Sequence, residues 1–247
     1  FSTGEGHLRE PQSIGSYAAL AAIAIQSNQN DQHGGQSIPN FEYAMAIGVR
    51  KSYRKTYIAN LTKAIELLFE ENTTDEIVNS ILDKVKEEKG INPTSESVIN
   101  LRKAVEELIN ENDASNLAKN IVEKIFNEKN IYPTLNNTSK YLQEENKLLT
   151  EKFGNKIADK IQKFAVKYTE KEVDRATFQA MEGFIHNLNT MHSRAGAQVP
   201  FSSINYGLDT TPEGRLVMKN VLLATDAGLG NGETPIFPIQ ILKVKEG

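Results

Sequence analysis

Apolar positions recur along the chain at two periods. From Ser13 to Gln26, entered after Pro11, they fall at helical spacing and predict a first helix. The polar stretch Asp31 to Gly35 predicts a loop, and a second helix is expected from Asn40 into Tyr57. An amphipathic helix is predicted from about Tyr141 to Tyr168, interrupted at Gly154, and another from Val173 to Met191. Near the end the period drops to two. Strands are expected at Val199–Tyr206 and Ile236–Val244, with a helix from Pro212 to Ala227 between them, stopped by Gly228-Leu229-Gly230. Strand, helix, strand with a compact connection is the order of a βαβ unit in a parallel sheet or barrel.

The texture of the sequence changes twice. Residues 1–55 hold six of the sixteen glycines, 56–172 hold only Gly90 and Gly154, and 173–247 are again rich in Gly, Pro and aromatics. The middle repeats itself at a spacing of 40, with thirteen of the 32 positions from Lys63 to Thr94 identical to their counterparts. The apolar set Ile77, Val78, Ile81, Leu82, Val85 returns as Leu117, Ala118, Ile121, Val122, Ile125, one helical stripe each time. Thr74-Asp75 and Asn112-Asp113 supply N-cap chemistry before each stripe, and Pro93 and Pro133 follow its end. Three segments result: a first helix-loop-helix body over 1–57, a mainly helical insertion over 58–170, and a helix-strand-helix-strand body over 171–247.

Composition narrows the function classes. A chain of 247 residues with 39% hydrophobic and 24% charged residues can bury a real core. A net charge of -4 argues against nonspecific nucleic-acid binding. The absence of cysteine removes disulfides and thiolate metal sites. The most apolar stretch, Tyr17 to Ile25, is too short to span a bilayer, and the start Phe1-Ser2-Thr3-Gly4, with no basic region followed by an apolar run, does not read as a signal peptide. A start at Phe1 and an end at Gly247 read as a piece cut from a longer chain.

Candidate chemistry lies in the outer segments. His33-Gly34-Gly35-Gln36-Ser37 has paired glycines that let backbone N–H groups approach an anion or a sugar, or that make a tight turn with a surface His. Arg194 stands in the loop before the first strand, where a guanidinium can fork onto phosphate or remain solvated. Ser203 and Asn205 share one strand face with Phe201, and such a polar face either lines a site or looks out from a sheet edge. His7, His186 and His192 have no metal-ligand spacing, and no metal site is expected.

Two blocks of sequence resemble the anaerobic (class III) ribonucleotide reductases. The first runs from Phe1-Ser2-Thr3-Gly4 through Pro11-Gln12-Ser13-Ile14-Gly15 and His33-Gly34-Gly35 to Ser52-Tyr53-Arg54-Lys55. The second runs from Phe178-Gln179-Ala180-Met181-Glu182 through Gln198-Val199-Pro200-Phe201 and Ser203-Ile204-Asn205-Tyr206-Gly207 to Gly228-Leu229-Gly230 and Pro235-Ile236-Phe237-Pro238. The resemblance covers roughly half the chain and leaves the repeat, about 56–150, outside. It implies an α/β fold, part of a ten-stranded barrel of the glycyl-radical type, interrupted by the helical insertion.

The resemblance also implies chemistry. A glycyl radical generates a thiyl radical, which abstracts the ribose 3′ hydrogen before water leaves C2′. The cysteines and the radical glycine would lie outside this chain, leaving it inactive alone. What it would supply is barrel wall, substrate pocket (His33, Gly34, Gly35, Gln36, Arg194, Ser203, Asn205) and an effector contact at Lys55. Lys55 sits where relatives place a lysine on the effector phosphate, whereas the Gln of their base-reading helix is replaced by Ile23. The implied setting is a cytoplasmic homodimer with ribonucleoside triphosphate substrates and ATP or deoxynucleotide effectors. Formate or a thiol system would be the reductant, and an iron–sulfur radical-SAM enzyme the activator. Two other readings remain beside it: a helical-repeat interaction module, and a nucleotide-sensing domain without catalysis.

Overall fold

The computed structural model describes residues 10–31, 34–71, 113–136, 140–192 and 199–244. Six helices and three strands occupy them: α1 (Ile14–Asp31), β1 (Gln36–Ile38), α2 (Phe41–Glu71), α3 (Ala114–Lys129), α4 (Lys140–Phe153), α5 (Asn155–Thr190), β2 (Ser202–Tyr206), α6 (Pro212–Ala227) and β3 (Ile239–Leu242). The chain divides into a mixed unit, 1–54 with 134–136 and 170–247, and a helical unit, 55–133 with 137–169. Two of the four boundaries, 54/55 and 169/170, fall inside the long helices α2 and α5.

The mixed unit is α/β. Its sheet has three parallel strands in the order β1-β2-β3 among the described residues. Register is fixed by the pairs Ser37 with Ser203, Ser203 with Ile239, and Asn205 with Ile241. Helix α6 spans the residues its sequence predicts. Thr211 caps it by accepting from the Gly214 amide, and Pro212 opens it. Beneath the sheet lie Ile204, Tyr206, Val217, Val221 and Ala224, all buried. The Phe41 and Phe184 rings meet at 5.0 Å between α2 and α5. Helices α1 and α2 approach closely at Gly48, where a Cβ would stand 3.0 Å from the Ile14 Cα.

The helical unit packs side chains along helical stripes. In α3 the predicted set Leu117, Ala118, Ile121, Val122 and Ile125 is buried, and Asp113 caps the helix by accepting from the Ser115 amide. The corresponding first copy, Ile77 to Val85, lies outside the described residues. Tyr57, Leu61, Ile65, Tyr141, Leu149, Ile161 and Ala165 complete a buried apolar set. Phe126 stacks on Tyr132 with centroids 4.1 Å apart.

Four sequence expectations need correction. Asp31 belongs to α1, not to the following loop, and a short strand, β1, follows where only a glycine turn is expected. Helix α2 does not end at Tyr57 but runs on to Glu71. The helices expected to either side of Gly154 are α4 and a 36-residue α5 that takes in Tyr168 and the expected Val173–Met191 helix up to Thr190. Gly154 has φ +77°, so the break is a left-handed residue rather than a kink. Both strands are shorter than their apolar patterns, because those patterns extend into neighbouring coil. No helix among the described residues is long and apolar enough to cross a membrane.

Candidate functional site

The site grows from the pleat of β2. Ser202, Ile204 and Tyr206 are buried on one face, whereas Ser203 and Asn205 are half-buried on the other. Register places Ser37 and Ile239 beside Ser203, and Ile241 beside Asn205. Ser37, Ile239 and Ile241 are exposed, so this sheet face is open. The Asn205 amide oxygen is nonetheless buried and has no hydrogen-bond partner. An acceptor in that position is costly unless something donates to it.

The glycine turn reaches the same sheet. The Gln36 amide donates to the Phe201 carbonyl at 2.9 Å, and Gln36 is in register with Ser202. Gly35 lies so close to Phe201 that a Cβ there would stand 3.1 Å from the ring. Gly34 is exposed, with φ +126°. The structure thus brings Gly34, Gly35 and Gln36 alongside the strand of Ser203 and Asn205. His33 and Arg194 lie outside the described residues.

The opposite face of the sheet is knit by hydrogen bonds. Tyr206 donates to Gln240 at 2.7 Å, and Gln240 donates to Thr225 on α6 at 2.6 Å. Burial pushes the Tyr206 phenol above its ordinary value. Asn189 on α5 holds the segment before β3: its Oδ1 accepts from the Ile236 and Phe237 amides at 2.9 and 3.0 Å, and its Nδ2 donates to the Phe237 carbonyl.

At the carboxyl end of β2, Glu42 collects three backbone amides. Its Oε1 accepts from Gly207 and Leu208 at 3.0 Å each and from Asp209 at 3.3 Å. Glu42, Asp209 and Ser202 are each no more than 2% exposed, and Glu42 Oε2, Asp209 Oδ2 and Ser202 Oγ have no partner. None of these roles is legible in the sequence, since Glu42 lies 165 positions from Gly207. The one available signal is an acid in the first turn of a helix, and that points only to the helix dipole.

The basic stretch in the middle of α2 is more neutralised than its local sequence suggests. Glu42 is the nearest carboxylate along the chain, yet Arg50 approaches Glu213 at 3.8 Å and Lys51 pairs with Glu10. Lys55 is exposed on α2. Among the described residues no cluster of three or more His, Asp or Glu side chains could hold a metal ion.

Parallel strands joined through a helix, with a polar acceptor on the open face, define an α/β piece of the kind that carries ligand sites in enzymes. A sequence model of the family described as anaerobic ribonucleoside-triphosphate reductase matches residues 1–247, and the chain belongs to that family. Proteins of that name show modest similarity over part of the chain. The Haemophilus influenzae protein is 32% identical over 81 residues, 32% of this chain and 11% of that protein. The Enterobacteria phage T4 protein is 33% identical over 84 residues, 34% of this chain and 14% of that protein. The Escherichia coli protein is 31% identical over 81 residues, again 11% of its length. The matched part therefore spans about a tenth to a seventh of these relatives.

Proposed function

We propose that the chain is an internal part of an oxygen-sensitive glycyl-radical enzyme that reduces ribonucleoside triphosphates to deoxyribonucleoside triphosphates. Its three strands belong to the wall of the ten-stranded barrel, and the open face of β2 looks onto substrate. The observation that carries this reading is the buried, unpartnered amide oxygen of Asn205. A ribose hydroxyl is a donor of the right kind, and Ser203 on the same face can donate or accept. Gly34 and Gly35 are near enough along the sheet to contribute backbone contacts, with His33 and Arg194 completing the proposed pocket from the adjoining loops; Gln36, in register with Ser202, has its side chain on the opposite face and could contribute only from the rim of the pocket.

The chain contains no cysteine, so no thiyl step is assigned to its residues. They would bind and orient substrate and exclude water, while a thiyl radical generated by a glycyl radical, both outside this chain, would supply hydrogen abstraction. Alone, the 247-residue chain is expected to reduce no nucleotide under anaerobic activation. Lys55 is proposed to contact the phosphate of an ATP or deoxynucleotide effector in a homodimer. The radical-SAM activase, the formate or thiol reductant and a cytoplasmic setting belong to the same proposal.

Replacing Asn205 tests the pocket. Asn205→Leu removes an acceptor that has no partner within the protein, so the folded state loses little. Turnover by the intact enzyme should fall at least about tenfold, the effect of one lost hydrogen bond to a well-placed donor. Thermal stability should change far less. An unchanged rate would assign the strand a structural role alone.

A further inference from the structure

The Gly207–Asp209 backbone lies at the carboxyl end of a parallel strand, where free amides commonly receive an anionic ligand. Here those amides are already occupied by the protein's own carboxylate. Glu42 is 1% exposed, and one oxygen takes all three donors while the other takes none. Arg50, two turns further along α2, is engaged with Glu213 instead.

The amides so held are coupled to the rest of the site. Gly207 has φ +125°, and a Cβ there would collide with the Lys243 carbonyl, so the backbone next to β3 passes close against it. The Lys243 amide in turn donates to the Tyr206 carbonyl at 2.7 Å. Beyond Asp209, its Oδ1 accepts from the Thr211 amide at 2.8 Å, and Thr211 caps α6. One carboxylate therefore sits where the ends of β2 and β3 and the start of α6 are fixed.

We propose that Glu42 is a positioning residue: its carboxylate fixes the backbone immediately after β2 and so sets where Ser203 and Asn205 present their polar groups on the open face. This inference rests on the substrate-pocket reading given above. Glu42 does not touch the ligand; it acts through three peptide N–H groups on a strand that does.

The test uses the intact enzyme with CTP as the probe, and reads equilibrium binding together with amide hydrogen exchange at 207–209. Glu42→Ala removes the acceptor. Glu42→Asp withdraws it by one C–C bond, roughly 1.5 Å, while keeping the charge and most of the volume. Glu42→Gln keeps a neutral acceptor in place. Ala and Asp are expected to lose exchange protection at 207–209 and to weaken CTP binding at least about tenfold, with Gln restoring binding to within about threefold of wild type. Should Ala fail to fold, Asp carries the same expectation.

Asn205→Leu, measured alongside, separates this inference from the reading beneath it. Protection retained in Glu42→Asp overturns the positioning role. So does protection lost with CTP binding unchanged while Asn205→Leu weakens it. Lost protection with binding unchanged in both variants overturns the substrate reading and this inference together. A merely structural Glu42 would lower the melting temperature and the folded fraction but leave the dissociation constant of the folded protein as it was.

Discussion

The mixed unit and the helical unit each bury one carboxyl group that is held by three donors, and the donors differ in kind. Glu42 takes three main-chain amides, from Gly207, Leu208 and Asp209. Glu145 takes three side chains: Tyr57 at 2.7 Å and Gln162 at 3.0 Å on one oxygen, Tyr141 at 2.8 Å on the other. A carboxyl held by main chain fixes the path of the backbone, whereas one held by side chains fixes which helical faces meet. Unpartnered buried oxygens follow the same division. Ser202 Oγ, Asn205 Oδ1, Glu42 Oε2 and Asp209 Oδ2 lie in the mixed unit, and among the described residues the helical unit contributes none. Buried polar groups without partners are costly, and among the described residues that cost is carried by the mixed unit. The helical unit, with its acid satisfied, is built for packing.

Truncating the satisfied acid should have the largest effect. Glu145→Ala leaves Tyr57, Tyr141 and Gln162 without their acceptor and opens a hole among them. About 3–5 kcal/mol of stability should be lost. Urea unfolding gives the size, and hydrogen exchange should place the loss at amides 141–165 while those of 202–206 keep their protection. Equal loss in both stretches would break the comparison, because the two regions would then unfold as one cooperative body.

A second substitution sharpens the comparison at the unit boundary, where Lys55 is the first residue of the helical unit. The neighbouring cations Arg50 and Lys51 have acids of the mixed unit to pair with, whereas Lys55 is exposed. If it contacts an effector phosphate, Lys55→Gln should cost on the order of 1.5–3 kcal/mol, about ten- to a hundredfold in affinity. Calorimetry on the intact enzyme, with each deoxynucleotide effector in turn, is the measurement. Equal dissociation constants for all of them would leave Lys55 as a solvated helix residue that relieves no more than local charge.

The two units were not equally legible in the sequence. Local signals suffice where chemistry is local: Pro212 and Gly228 bracket α6, Asp113 caps α3, and alternation in β2 separates Ser203 and Asn205 from Ile204. Period two also carried the parallel βαβ order. It failed for β1, because a three-residue strand is too short to show a period and His33-Gly34-Gly35 reads as a turn. The single long α5 was hidden because the polar run between Tyr168 and Val173 looks like a link, although Lys and Glu are good helix formers on a solvated face. Glu42 and Asn189 were missed for a different reason. Both act on main-chain amides, and an amide has no residue type for a sequence pattern to register.

The smallest expected effect is a difference of sign with pH. Burial pushes the Glu145 carboxyl above its ordinary value, and the hydrogen bonds from Tyr57, Gln162 and Tyr141 oppose this without cancelling it. A folded-state pKa above the unfolded one means the folded helical unit holds its proton to higher pH. Its contribution is therefore most favourable below the ordinary carboxyl range and declines as pH rises toward the raised value. In the mixed unit Asp174 behaves oppositely. Burial would raise it, but hydrogen bonds from Lys219 and Asn220 and the Lys219 charge hold it below the ordinary value. That contribution is present above the unfolded value and is lost as pH falls through the lowered one. Lowering the pH from about 8 to about 5 should thus stabilise amide protection at 141–149 relative to that at 202–206, with a slope bounded at about 1.4 kcal/mol per pH unit for one titrating proton. Glu145→Gln should abolish that relative gain, because the amide presents no proton to bind over this range. A gain that persists in Glu145→Gln would place the pH response on other groups and remove Glu145 as the counterpart of Glu42.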